Sequence, residues 1–128
     1  HYRAEARFLR AFQYWVLMDL FGNPPFITEK DPIGKYIPQQ IKRADLFSYV
    51  ESELKDIDAS LAAPRGNEYG RADQAAAWAL LARLYLNAET YLGTGQKKYT
   101  EAIQYASKVL NAGYTLMQPP YAVRCKRK

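Results

Sequence analysis

The sequence has little of the residue types that build metal centres and disulfides. It contains one cysteine, Cys125, and one histidine, His1. A lone cysteine forms no internal disulfide, and the sequence has no cluster of cysteine and histidine with the spacing of a metal site. The cysteine usage therefore leaves the redox compartment open, and we expect neither a metal nor a cofactor.

A long hydrophobic run is also missing. The most apolar stretch, residues 12–21, is interrupted by Gln13 and Asp19. It is well short of the roughly 20 apolar residues that cross a bilayer. No signal peptide is visible, because the chain opens directly with a helical pattern. For a piece of a longer protein, this absence excludes nothing about export.

Positive charge is in excess only at the C-terminal end. The chain has 18 basic and 13 acidic residues and a net charge of +5. Four of the basic residues lie at positions 124–128, so the remainder has 14 basic against 13 acidic residues. A nucleic-acid surface needs clustered Lys and Arg to neutralise several phosphates. We therefore expect no nucleic-acid partner, and we interpret residues 119–128 as a disordered basic tail or a truncated terminus.

Four segments show the periodicity of amphipathic helices: residues 2–21, 44–63, 73–90 and 97–112. In the second, Phe47, Val50, Leu54, Ile57 and Leu61 repeat at alternating three- and four-residue spacing. Between the first two helices, residues 24–43 are rich in proline and have no clear period. A loop of this length is unusual inside a compact domain, so it is either functional or packed as a strap over the helices.

The last two predicted helices match a tetratricopeptide (TPR) unit. Trp78, Leu81, Ala82 and Tyr85 have the large, large, small and aromatic pattern of its first helix, and Tyr99, Ala102 and Ala106 fit the second. Gly113 follows as the residue that ends the second helix. The sequence therefore predicts an all-α fold of TPR-like antiparallel helix pairs, a fragment of an α-α superhelix. This pattern alone favours one function, that of a helical protein–protein interaction adaptor.

Several segments along about residues 2–118 form a recognisable set. They are Ala4–Ala11 with Tyr14, the turn Leu20–Phe26, the stretch Gly70–Ala72 with the alanine-rich helix after it, and Tyr99, Ala102, Ala106 and Gly113–Leu116. In their residues and their order, these segments together resemble the SusD/RagB family. We accordingly assign residues 1–118 to a partial SusD-like TPR-type helical domain.

The resemblance implies a non-catalytic glycan-binding protein of the bacterial cell surface. Such proteins are outer-membrane lipoproteins, anchored through a lipidated N-terminal cysteine, that pass oligosaccharides to a TonB-dependent (SusC-like) transporter for nutrient uptake. Cys125 lies at the wrong end of the chain to be that cysteine. The resemblance also implies that the helical half is mainly scaffold and transporter-facing surface.

Three tyrosines in predicted loops, Tyr36, Tyr69 and Tyr91, are the candidate ligand-binding residues. Sugars present C–H faces that stack on aromatic rings, and the tyrosine hydroxyl adds a hydrogen bond. Packing remains the alternative for each of them. We expect structural roles for a further set: Arg7, Arg10, Trp15, Arg71, Trp78, Tyr85, Ala102 and Gly113.

No catalytic residues are expected. Four carboxylates of the second helix, at positions 51, 53, 56 and 58, could be proposed as the acid pair of a glycosidase. They flank a strong apolar stripe, which favours a solvated helix face. For Arg7 and Arg10 we expect ion pairs with carboxylates such as Asp19 or Glu5, or hydrogen bonds to backbone carbonyls. Trp15 and Trp78 are expected in the core.

Overall fold

The computed structural model describes residues 1–32, 34 and 37–115. These residues form α1 (Tyr2–Phe21), α2 (Arg43–Asp56), α3 (Gln74–Leu86), α4 (Ala88–Leu92) and α5 (Tyr99–Asn111), with a short 3-10 helix at Asp58–Ser60. The predicted all-α class is confirmed. Residues 116–118 of the predicted domain and the predicted tail at 119–128 lie outside the described residues.

Helices α1 and α2 pack antiparallel. Arg7, near the start of α1, contacts Glu53, near the end of α2. At the other end of the pair, Gly22 ends α1 beside Arg43, which opens α2. Gly22 has a φ of 74°, and a Cβ there would lie 2.7 Å from Nη2 of Arg43. Glycine suits this position because it adopts positive φ without strain and leaves room for the neighbouring helix.

Helices α3 and α5 form the TPR-like pair. Tyr85, at the end of α3, lies under the ammonium group of Lys98, which precedes α5. Asp73, which precedes α3, receives a hydrogen bond from Tyr114, just beyond α5. These contacts show that the two helices run antiparallel. Helix α3 also contacts α1, α2 and α4, so it is the central helix, as its density of alanine indicates.

The core lies between α1, α2 and α3. Its largest fully buried side chains include Tyr85, Phe47, Met18, Leu54 and Leu81. Each such side chain contributes about 1.5–3 kcal/mol relative to an exposed position. The aromatic members pack edge to face, with the ring centroids of Phe47 and Tyr85 6.4 Å apart. The apolar stripe of α2 therefore supplies much of the stability of the fold.

Two of the predicted helix boundaries are wrong. The second helix was expected to continue to residue 63 but ends at Asp56 and passes into the 3-10 helix. Its apolar stripe still holds, because Ile57 and Leu61 are 1% and 3% exposed. The third helix, predicted at 73–90, breaks at Asn87 into α3 and α4. There the Asn87 side chain donates to the carbonyl of Arg83 and competes with the helix backbone.

The long loop after α1 is a strap. Its two arms meet through hydrogen bonds from the backbone N–H of Phe26 to Gln39 and of Ile41 to Pro24. The hydroxyl of Tyr14 donates to the carbonyl of Ile27 and accepts from its N–H. Of the two roles that the sequence allowed, packing over the helices is therefore the one that the described part of the loop has.

No helix among residues 1–32 and 37–115 is both long and apolar enough to span a bilayer. The 20-residue α1 has the necessary length, but Asp19 and several arginines lie within it. This agrees with the interrupted apolar run in the sequence.

Candidate functional site

Two strongly exposed tyrosines lie at the start of α1 and in the loop before α3. Tyr69 is fully exposed, and Tyr2 is 80% exposed. Arg71, two residues beyond Tyr69, places its guanidinium 4.8 Å from the centre of the Tyr2 ring. We call Tyr2, Tyr69 and Arg71 the aromatic–arginine surface. It is polar and aromatic, and it faces solvent.

Arg71 is held by an ion pair to α1. Its Nη2 and Nε atoms donate to the two carboxylate oxygens of Glu5 at 2.6 and 3.1 Å. The amide of Asn67 donates to the carbonyl of Ala72 and closes the loop behind it. The hydrogen bonds from Arg71 hold the pKa of Glu5 below its ordinary value. The predicted structural role of Arg71 therefore has a definite basis: it ties the loop before α3 to the first turn of α1.

A cavity of about 330 Å³ opens beside Arg71, between the start of α3 and the end of α5. Its lining residues are Arg71, Asp73, Ala75, Ala76, Ala79, Val109 and Tyr114. Its volume is at the lower end of the range for small-molecule sites. We call it the Arg71 cavity.

Asp73 is the buried polar residue of this cavity, 7% exposed. It caps α3 by accepting from the N–H of Ala76, and it accepts further hydrogen bonds from the N–H of Arg65 and the hydroxyl of Tyr114. Burial opposes its ionisation, but these hydrogen bonds outweigh burial and hold the pKa of Asp73 below its ordinary value. Asp73 is thus an ionised structural residue at neutral pH, with its oxygens already engaged.

Of the three candidate tyrosines, the structure describes Tyr69 and Tyr91, and it places them in different elements. Tyr69 lies in a loop, as predicted. Tyr91 does not: it is in α4, 5% exposed, and its hydroxyl donates to Asp19 at 2.8 Å. The break at Asn87 starts the new helix α4, which directs the Tyr91 side chain into the core. There its ring packs against that of Phe47. Burial, with the hydrogen bond to Asp19 as second cause, raises the pKa of Tyr91 to about 12. Tyr36 lies outside the described residues.

Arg7 and Arg10 form ion pairs, but with other partners than the sequence suggested. Both donate to Glu53, Arg7 through two hydrogen bonds at 2.7 and 3.0 Å and Arg10 through one at 3.0 Å. Arg7 also reaches Asp56, and Arg10 reaches Glu29 of the strap. These partners lie in α2 and in the strap, outside α1, so the spacing of residues within α1 could not identify them.

Of the two tryptophans, Trp15 is buried, 8% exposed. Trp78 is only half-buried and not in the core as expected, because it lies at the edge of α3. There its indole N–H donates to Asp58, and the ammonium group of Lys108 lies 5.6 Å from its ring.

The remaining structural candidates lie at the α3–α5 junction. Tyr85 and Ala102 are 1% and 7% exposed. Gly113 follows α5 with a φ of 79°, which suits a residue that ends a helix.

The expectation that the four carboxylates at 51, 53, 56 and 58 form a solvated face was wrong for two of them. Glu51 and Glu53 have side chains only 19% and 14% exposed. Burial opposes the ionisation of Glu51, but hydrogen bonds from Lys55 and the Tyr85 hydroxyl hold its pKa below the ordinary value. These residues connect α2 to its neighbours. Among the described residues, no group of three or more His, Cys, Asp or Glu could hold a metal ion.

The sequence analysis did not identify Tyr2 of the aromatic–arginine surface or Tyr114 of the Arg71 cavity. Tyr2 was treated only as the first residue of α1, and Tyr114 only as part of the segment after Gly113. Neither has a local sequence signal. Their positions depend on the antiparallel packing that brings the start of α1 to Arg71 and the end of α5 to Asp73.

Comparison with known proteins gives consistent matches. Residues 1–86 match the SusD-like family described as starch-binding and associating with the outer membrane. The starch-binding protein SusD of Bacteroides thetaiotaomicron is 48% identical over 114 residues. That match covers 89% of this chain and 20% of the relative.

Solved structures that resemble this chain belong to the same SusD-like family. A SusD superfamily protein from Parabacteroides distasonis has a TM-score of 0.76 at 28% identity, over 91% of this chain and 25% of that one. A SusD-like carbohydrate-binding protein from Bacteroides fragilis has a TM-score of 0.73 at 25% identity, over 92% and 22%. The chain thus spans about a fifth to a quarter of these relatives. It belongs to the SusD-like family.

Proposed function

We propose that the chain is part of a non-catalytic surface protein that binds an oligosaccharide or polysaccharide and passes it to a TonB-dependent, SusC-like transporter. The observation that carries this proposal is the 48% identity to a starch-binding protein along 89% of the chain. The family description places its members at the outer membrane. In this proposal a lipid anchor holds the protein at the cell surface.

The aromatic–arginine surface is the proposed glycan contact of this part of the protein. A sugar ring stacks through its C–H faces on an aromatic ring, and Tyr69 offers a ring that is fully exposed. The guanidinium of Arg71 has donors for sugar hydroxyls and is already oriented by Glu5. An oriented donor loses less conformational entropy on binding than a free one. The contact is therefore open, shallow and partly preorganised.

The acidic residues of α2 support a binding protein more than a glycosidase. A glycosidase needs one carboxyl group that stays protonated near neutral pH and a second one nearby. The pKa values of Glu51 and Glu53 are instead lowered by their cationic partners. The adaptor alternative has in its favour only the exposed apolar side of the α3–α5 pair.

Affinity electrophoresis of the 128-residue chain through gels that contain soluble starch or laminarin tests the contact. We expect retardation in at least one gel, and Tyr69→Ala or Tyr2→Ala should weaken binding roughly two- to tenfold, as expected for loss of an aromatic contact. Tyr99→Ala is the matched control, because Tyr99 is 47% exposed but lies at the opposite end of the α3–α5 pair.

Equal retardation of all variants would remove the aromatic–arginine surface from the proposal. A Tyr36→Ala variant in the same gels tests Tyr36, the remaining candidate tyrosine from the sequence.

A further inference from the structure

Another cavity, of about 460 Å³, opens between the strap and the start of α2. It is larger than the Arg71 cavity, and its volume is within the range for small-molecule sites. Its lining includes two half-buried apolar side chains and four exposed polar ones: Phe26, Ile41, Gln39, Gln40, Lys42 and Asp45. We call this cavity the strap trough.

The apolar part of the strap trough is fixed by aromatic packing. The centroid of the Phe26 ring lies 5.0 Å from that of Tyr14 and 4.8 Å from that of Tyr49. The backbone N–H of Phe26 donates to the carbonyl of Gln39, which joins the two arms of the strap. A ligand therefore meets a preformed surface, and its binding loses little free energy to ordering the strap.

The polar side chains of the trough are not the groups that hold the strap in place. Asp31 accepts hydrogen bonds from the N–H and the hydroxyl of Thr28. Asn23 accepts from the N–H of Arg43, and Gln39 takes part through its backbone carbonyl. The four exposed polar side chains therefore present their amide, ammonium and carboxylate groups to solvent.

This set of groups matches the hydroxyl groups of a neutral sugar. Each sugar hydroxyl both donates and accepts; the glutamine amides do both, Lys42 donates and Asp45 accepts. The ring of Phe26 lies beside them and suits the C–H groups of a sugar ring. Two acidic residues of the lining, Asp31 and Asp45, outnumber Lys42, so the trough is not complementary to an anionic ligand.

The strap trough and the aromatic–arginine surface lie at different positions along α1. Phe26 packs on Tyr14, whereas Arg71 packs on Tyr2. At the rise of an α-helix, these two positions of α1 are about 18 Å apart along its axis. A ligand in the trough therefore makes a separate contact, and a polysaccharide bound at both places gains affinity over a short oligosaccharide.

We propose that the strap trough is a second glycan-binding site, which takes a neutral oligosaccharide or a segment of a neutral polysaccharide. Gln39 and Gln40 bind sugar hydroxyls through their side-chain amides, and Phe26 contacts the C–H groups of the ring. This inference rests on the proposed function, since it gives the same class of ligand a further contact.

NMR titration of the isotope-labelled 128-residue chain tests the proposal. The neutral probes are maltoheptaose and laminarihexaose, and the anionic probe is an oligosaccharide of galacturonic acid. We expect a neutral probe to shift the side-chain amide signals of Gln39 and Gln40 but not that of Gln104, which is exposed on α5.

Gln39→Ala combined with Gln40→Ala keeps the backbone hydrogen bonds of the strap but removes both amides. Affinity measured at the backbone amide of Lys42 should fall roughly two- to tenfold, as expected for the loss of hydrogen bonds. Gln104→Ala is the matched control and should leave this affinity unchanged.

Shifts confined to Tyr69 and Arg71 would overturn the trough as a site and leave the proposed function standing. An absence of shifts with every probe would overturn both the trough and the aromatic–arginine surface as glycan contacts. Tighter binding of the anionic probe at the trough would overturn the neutral class of ligand. Equal affinities for the double-alanine variant and Gln104→Ala would also overturn the proposal.

Discussion

Replacing Glu53 with glutamine tests how α1 and α2 are held together. The Glu53 carboxylate is 14% exposed and accepts hydrogen bonds from both Arg7 and Arg10. Glutamine keeps the shape of the side chain but removes its charge and one acceptor. Two half-buried guanidinium groups then lie close together without a counter-charge between them.

We expect Glu53→Gln to lower the free energy of unfolding by about 2–3 kcal/mol. Hydrogen bonds to charged groups contribute about 1.5–3 kcal/mol each when one partner is removed, and breaking a fully buried ion pair costs about 3–5 kcal/mol. Glu53 lies between these cases, because Arg7 and Arg10 are 27% and 26% exposed. For a domain of this size the midpoint of thermal unfolding should fall by roughly 8–12 °C.

Circular dichroism melting of Glu53→Gln beside Asp56→Asn measures this effect. Asp56 also accepts from Arg7, but its side chain is 67% exposed, so its loss should cost about 0–1 kcal/mol. Equal shifts for the two variants would refute the conclusion that burial of Glu53 makes this ion pair strong.

The pH dependence gives a second test of the same residue. The hydrogen bonds from Arg7 lower the pKa of Glu53 from its ordinary 4.5. A lowered folded-state pKa means that the ion pair stabilises fully above about pH 4.5 and is lost as pH falls through the lower value. The difference in stability between the wild-type chain and Glu53→Gln should therefore shrink below pH 4. A constant difference from pH 7 to pH 3 would exclude the charge as its cause.

Three further outcomes follow from the hydrogen bonds or the burial of single residues. Asp73→Ala should destabilise by about 2 kcal/mol in urea unfolding, because α3 loses its cap; a change below about 0.5 kcal/mol would contradict this. Tyr91→Phe should cost about 1 kcal/mol through its lost hydrogen bond, whereas Tyr69→Phe should cost nothing measurable. In a spectrophotometric titration, Tyr49 and Tyr91 should ionise near pH 12, because burial raises the pKa of each; ionisation of every tyrosine near pH 10 would contradict their burial.

The helices were predictable because their information is local. The stripe of Phe47, Val50 and Leu54 lies within the single helix α2, so its periodicity was enough to predict that helix. The end of α2 and the break at Asn87 were not predictable to the same degree. Both depend on a choice between continuing the helix and local hydrogen bonds, and the free-energy differences involved are small.

The partners of charged residues and the location of the candidate site depended on tertiary packing. Glu53 is 46 residues from Arg7, and Glu5 is 66 residues from Arg71. Once α1 and α2 are known to pack antiparallel, the arginines at 7 and 10 match the carboxylates at 53 and 56. Tyr91 was placed in a loop because the third helix was predicted to end at residue 90, but α4 contains it and turns it toward Phe47.

The most direct test is to put this chain in place of the matched segment of SusD from B. thetaiotaomicron and measure starch binding by calorimetry. The account predicts that the longer protein folds and binds starch with an affinity within about tenfold of that of unaltered SusD, a difference of about 1.4 kcal/mol. A longer protein that unfolds cooperatively but has no measurable affinity for starch would contradict the proposal that this chain is the helical part of a glycan-binding protein.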